Sequence, residues 1–189
     1  MTLLFIAITA LATAITAIVA FLSWKNERAK KRVSVFSESI RIVLDGIKNS
    51  ESKDYILSNN LYADVETAKR YLGLGNNVKI GLDDFEEIVV KNRINDSLNI
   101  SEEEKNKTKE RLRKSYKKIE YFCERMDYLG IIAEDKDSRE LIVKYFRSTI
   151  IDTYERLDDI IIKTRKDRNK YDLYEHYMKL YELAKEGDK

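Results

Sequence analysis

The sequence contains no proline, one cysteine (Cys123), one histidine (His176), one tryptophan (Trp24) and only six glycines in 189 residues. At an average usage of about 5%, roughly nine prolines would be expected. Proline removes a backbone donor and breaks helix interiors, so its absence, with so little glycine, predicts a mostly helical chain with few sharp turns. One cysteine excludes an internal disulfide framework. One cysteine with one histidine cannot build a zinc site alone. A Ser-His-Asp triad would have to pass through His176. No cofactor is expected: Gly73-Leu-Gly75 lacks the further glycine, the lysine and the preceding strand of a phosphate-binding loop.

Charge is also missing from one end. Met1 to Trp24 carries no ionisable side chain. Twenty-four residues at about 1.5 Å each reach about 36 Å, more than the ~30 Å hydrocarbon core of a bilayer. A single segment satisfies its backbone in lipid only as a helix, and Trp24 falls where interfacial aromatics are found. A cleaved signal peptide would want a basic start and a shorter apolar run, so the segment is read as an uncleaved anchor. Lys25, Arg28, Lys30, Lys31 and Arg32 follow directly, with Glu27 as the one acid. The positive-inside rule then puts the N-terminus outside and residues 25–189 in the cytoplasm, at the inner (plasma) membrane. This collar has a net charge of +4 and leaves residues 33–189 near −2. Its five cations are the expected contacts to anionic headgroups. The sequons at Asn95, Asn99 and Asn106 would not be used in a cytoplasmic domain.

Within the span, Thr9, Thr13 and Ala17 recur four apart, as do Ala12, Thr16 and Ala20. Small-residue stripes let helices approach closely in lipid. After it, Val33, Phe36, Ile40, Val43, Leu44 and Ile47 keep helical spacing to about Lys48. This juxtamembrane stripe needs a partner. Thr9, Thr13, Ala17, Val33, Phe36, Ile40 and Val43 are therefore the expected contacts of a homo-oligomer. The organisation reads as anchor (1–24), basic juxtamembrane helix (25–50) and helical domain (51–189), an all-α architecture.

Within 51–189 two short helices are expected over 51–75, the first from Asp54 and the second capped by Asp64 and ended by Gly73 and Gly75. Residues 76–82 read as a loop. Asp83 caps a helix DFEEIVVKNRINDSL with Phe85, Ile88, Val89 and Leu98 inward. Ser101-Glu-Glu-Glu104 has the form of a capping box. It opens a long helix with a stripe through Leu112, Tyr116, Ile119, Phe122/Cys123, Met126 and Leu129, which Gly130 ends. A second long helix begins at Asp135, Asp137 or Ser138. Its stripe runs through Leu141/Ile142, Tyr145/Phe146, Thr149/Ile150, Thr153, Leu157 and Ile160/Ile161. A break near Asn169 precedes a last helix with Tyr171, Tyr174, Tyr177/Met178, Tyr181 and Ala184.

The basic run Lys105–Lys118 covers most of the helix circumference, as a solvated face does. Lys107, Arg111, Lys114 and Lys118 are the set an anionic partner, nucleic acid or membrane, would use. Acid pairs such as Asp83-Asp84 and Asp158-Asp159 read as caps and exposed faces, and Cys123 as a buried small hydrophobe. No acid–base or nucleophile constellation emerges, and an enzyme is not expected.

Residues Ile119–Phe146 (IEYFCERMDYLGIIAEDKDSRELIVKYF), followed by Tyr154, Arg165 and YDLYEHYMKLYELA (Tyr171–Ala184), resemble the bacterial family called domain of unknown function 4760. The shared features are an aromatic-Glu helix, a Gly-Ile-Ile turn, an aliphatic helix, an arginine and a closing Tyr-rich helix. The likeness covers about 70 residues and implies an anchored helical protein, with no activity or catalytic residue to carry over. Three readings follow. One is a single-pass membrane protein acting through protein contacts and self-association. Another is a membrane-acting effector of stress or phage-defence type, whose span threonines (Thr9, Thr13 and Thr16) line a polar path. The last is a membrane-tethered nucleic-acid or nucleotide binder.

Overall fold

The computed structural model describes Ile47, residues 50–95, Leu98 and residues 100–186. The apolar segment 1–24, the collar Lys25–Arg32 and the oligomer positions Thr9, Thr13, Ala17, Val33, Phe36, Ile40 and Val43 lie outside the described residues. Among the described residues there are six helices of more than one turn and no strand, which makes the domain all-α. None of these helices is long and apolar enough to cross a membrane.

The helices are α1 (Glu51–Leu57), α2 (Asn59–Leu72), α3 (Leu82–Val89), α4 (Glu102–Ile132), α5 (Lys136–Asp167) and α6 (Glu175–Glu186). At 31 and 32 residues, α4 and α5 each run about 46–48 Å. They are consecutive and yet touch each other little. Helices α1, α3 and α6 fill the space between them, and α4 touches every other helix.

The inward faces follow the 3.6-residue period. On α4 they are Leu112, Ile119, Phe122, Cys123, Met126 and Leu129, all 0–1% exposed. Where the sequence offers a doublet on α5, the second member is buried: Ile142, Phe146 and Ile150 are inside, while Leu141 and Tyr145 face out. On α6 the buried set is Tyr177, Leu180 and Ala184, with Tyr174 just before it. Tyr171, expected on that stripe, is 66% exposed, because it precedes the helix in an irregular turn.

Several expected boundaries move, each for a local reason. Ser50, not Asp54, caps α1, its hydroxyl accepting from the Lys53 N–H at 3.1 Å. Ser58 caps α2 by accepting from Asn60 N–H, which leaves Asp64 in mid-helix and buried. Helix α3 starts one residue before Asp83, with the Asp84 carboxylate accepting from the Gly81 N–H at 2.8 Å. It stops at Val89 and does not continue to Leu98. Past Val89 only polar and scattered apolar residues follow, and Asn92 takes a left-handed φ of 56°. Leu98 is half-buried in the loop.

Gly130 does not end α4. The helix runs on to Ile132, and Gly130 serves as a contact point. A β-carbon there would sit 2.2 Å from the His176 carbonyl oxygen, so the missing side chain is what lets α6 start against α4. The expected Gly-Ile-Ile turn is thus the last helical turn of α4. Asp135 caps α5 by accepting from Ser138 N–H at 2.9 Å and Ser138 Oγ–H at 2.6 Å. The break at Asn169 is present, with φ of 50°.

Candidate functional site

Asp64 is the most connected buried acid. Its side chain lies on α2 and is 6% exposed. One oxygen accepts from Tyr55 Oη–H of α1 at 2.9 Å and from Ser115 Oγ–H of α4 at 2.5 Å. The other meets Arg111 Nε at 3.0 Å, while Arg111 Nη2 donates to Thr67 Oγ1 at 3.0 Å. Burial pushes the Tyr55 hydroxyl well above the usual phenol range, and the Asp64 charge adds to this. This node joins α1, α2 and α4.

It also decides where the expected anionic-partner patch stands. Arg111 is held by Asp64 and Thr67. Lys118 lies 3.4 Å from Glu51 and 5.7 Å from the Tyr55 ring centroid. Lys114 is 3.8 Å from Glu110. Lys107 is exposed near the start of α4. All four sit on α4, with Arg111 and Lys118 turned toward acids of α2 and α1.

A second node organises α6. Tyr174, its preceding residue, has φ of 57° and a side chain that cannot cap. Asp127 of α4 fills the role across the interface, accepting from the Tyr177 N–H at 3.0 Å. Tyr177 is fully buried, its hydroxyl 2.8 Å from Thr153 Oγ1 of α5. Its ring meets Tyr154 edge-on at 5.1 Å, and Tyr154 stacks on Tyr181 at 4.2 Å. Burial first pushes the Tyr177 hydroxyl well above its ordinary range and raises Tyr154 to about 12. Tyr154 and Tyr177 are packing groups, and the Tyr177 hydroxyl is satisfied by Thr153.

Cys123 is fully buried, and burial, with Asp127, Glu124 and Glu120 nearby, pushes its thiol well above the ordinary range. A nucleophilic cysteine needs the opposite shift. His176 Nδ1 lies 3.2 Å from Glu134 Oε1, with the side chain 31% exposed. Tyr116 Oη–H donates to Glu120 at 2.7 Å, and Arg168 pairs with Asp83 at 2.7 Å, tying α5 to α3. Gly81 packs on the same strip: a β-carbon there would stand 2.8 Å from the Thr164 nitrogen, and the Leu82 N–H donates to Thr164 Oγ1 at 2.8 Å. Among the described residues no group of three or more His, Cys, Asp and Glu is placed to hold a metal ion.

Sequence reasoning missed one feature. A groove of about 510 Å³ opens between α2, the segment Asn76–Ile80 and α5. Leu61, Val65, Ile80 and Ile160 line it, with Tyr62 and Val78 at its edge and Lys69, Lys79, Arg156, Glu66 and Asp159 around it. Three segments of widely separated sequence build it, so no spacing rule could have found it. The one available signal was Asn76-Asn77, a turn between two apolar runs.

The described residues thus define an all-α domain with a charge-rimmed apolar groove. No protein-family model matches the chain. No curated protein and no solved structure matches it either.

Proposed function

We propose that the chain is a single-pass protein of the inner membrane, N-terminus outside, whose cytoplasmic helical domain works through protein–protein contacts and self-association, without catalysis. The observation that carries this reading is the 24-residue uncharged segment Met1–Trp24 followed at once by the +4 collar at Lys25–Arg32. An apolar run of that length is stable in lipid, and the collar fixes its direction and reaches anionic headgroups. The small-residue stripe Thr9/Thr13/Ala17 and the apolar stripe Val33/Phe36/Ile40/Val43 supply contacts for a second copy. The likeness to a family of anchored helical proteins points the same way. The packing role of Tyr154 and Tyr177 and the buried, hard-to-ionise Cys123 favour a binding domain over an enzyme.

Two measurements test it together. The chain should stay with the membrane pellet after alkaline carbonate extraction, with a C-terminal fluorescent fusion bright in the cytoplasm. Cysteine crosslinking from position 36 or 40 should give a dimer or larger species in native membranes. Release by carbonate would refute the anchor, and monomer alone under efficient crosslinking would refute self-association.

A further inference from the structure

The groove between α2 and α5 has an unusual division of charge. Its floor is apolar: Leu61, Ile80 and Ile160 are 2–5% exposed. Its two lips are apolar as well, yet uncovered, Tyr62 at 70% and Val78 at 40% exposure. The volume of about 510 Å³ falls within the ~300–1,000 Å³ range of small-molecule sites. Both rim acids are already engaged. Glu66 accepts from Lys69 at 2.9 Å, and Lys69 also donates to the Asn76 carbonyl at 2.9 Å. Asp159 meets Lys79 at 2.6 Å. These pairs cancel.

Arg156 is left over. Its Nη1 donates to the Ile56 and Ser58 carbonyls at 3.4 and 3.3 Å, and among the described residues it pairs with no carboxylate. A guanidinium has five N–H donors in a planar fork suited to carboxylate or phosphate. Two long bonds from one nitrogen leave most of that capacity unused. The groove therefore presents an apolar bed, two uncovered apolar lips and one net positive charge at its edge.

We propose that this groove binds a small amphiphilic anion, with its apolar body against Leu61, Ile80 and Ile160 between Tyr62 and Val78 and its carboxylate or phosphate on Arg156. A cationic ligand would have to displace Lys69 or Lys79 from acids bonded at 2.9 and 2.6 Å. A neutral apolar ligand would leave the Arg156 fork unanswered. This site is independent of the membrane reading above.

Hydrogen–deuterium exchange of the full chain in nanodiscs tests it, with phenylacetate and phenyl phosphate as probes and phenylacetamide and acetate as controls. Phenylacetate or phenyl phosphate should slow exchange in segments 61–69 and 76–80. Phenylacetamide and acetate should bind at least about tenfold more weakly, since each lacks one half of the recognised chemistry. The two anions distinguish a carboxylate from a phosphate ligand. Arg156→Gln should weaken the preferred anion about tenfold and leave phenylacetamide unchanged. Val78→Glu, on an exposed lip, should weaken the anion by like-charge repulsion without touching Arg156, and decides the matter if Arg156→Gln fails to fold. No protection with either anion, equal binding of phenylacetamide, or undiminished anion binding by folded Val78→Glu would overturn the proposal.

Discussion

Replacing Asp64 by alanine should be among the most damaging single changes to the helical domain outside the apolar core. The carboxylate is 6% exposed and takes three partners from two other helices. Its removal does not affect them equally. Ser115 keeps the Arg111 carbonyl as an acceptor at 3.1 Å, so it loses one bond of two, about 0.5–1.5 kcal/mol. Arg111 is 55% exposed at its side chain, so water replaces most of that ion pair, and its loss costs under about 1 kcal/mol. Tyr55 is 8% exposed and donates to Asp64, with Ser115 beside it. An orphaned buried hydroxyl costs about 1–3 kcal/mol. The total lies between about 1.5 and 5.5 kcal/mol, a large share of a domain's usual margin of ~5–15 kcal/mol. Urea unfolding of the full chain, followed by far-ultraviolet circular dichroism, reads this as a lowered midpoint at unchanged slope. The pairing with Tyr55 has its own test. In the Tyr55→Phe background, where no hydroxyl is left to strand, Asp64→Ala should cost about 1–2 kcal/mol less. A loss under ~1 kcal/mol for Asp64→Ala, or additive effects in the double variant, would refute the claim that this node binds α1, α2 and α4 together.

Other changes probe the remaining contacts. Gly130→Ala should lower stability by at least ~1–3 kcal/mol despite alanine's better helix propensity, because its methyl would sit 2.2 Å from the His176 carbonyl oxygen. Gly75→Ala, with nothing within 4 Å, should be within ~0.5 kcal/mol of the parent in the same urea titration. Asp127→Ala should uncap α6 and cost about 0.5–2 kcal/mol, seen as faster amide exchange in Tyr177 and Met178 before the rest of the domain. Stability should fall as pH rises above about 9. The folded state holds the Cys123 thiol and the Tyr55 and Tyr177 hydroxyls protonated by burial, while the unfolded chain releases those protons. The contribution of these groups is complete below their unfolded values and is lost as pH climbs toward the folded ones. A urea midpoint that is flat between pH 8 and 10.5 would contradict this, as would rapid alkylation of Cys123 in the folded chain at pH 8.

The parts of this fold legible in the sequence are those governed by one helix at a time. The stripe Leu112–Leu129, the start of α5 among Asp135, Asp137 and Ser138 and the break at Asn169 follow from periodicity and short-range hydrogen bonding, and each depends on residues within four positions of one another. What escaped depends on residues far apart in sequence. Asp64 looks like a cap because aspartate before VETAKRYL has the right local form. Ser58 displaces it because the chain already turns there, and Asp64 is then free to face Tyr55 and Ser115, 9 and 51 residues away. Gly130 looks like a stop because glycine often follows a helix end. Its actual use is steric and belongs to His176, a distance no local rule spans. The α5 doublets are ambiguous for the same reason. Leu141/Ile142 and Tyr145/Phe146 each offer two apolar faces, and only the packing of the other helices onto α5 chooses between them. The groove is the extreme case, since a net charge at Arg156 emerges only after Lys69, Glu66, Lys79 and Asp159 have found one another. A nearly balanced sequence, 35 basic against 33 acidic side chains, therefore says little about where uncompensated charge remains. That is decided pair by pair in the folded chain, and the surplus cation at Arg156 sits where the apolar surface is also uncovered.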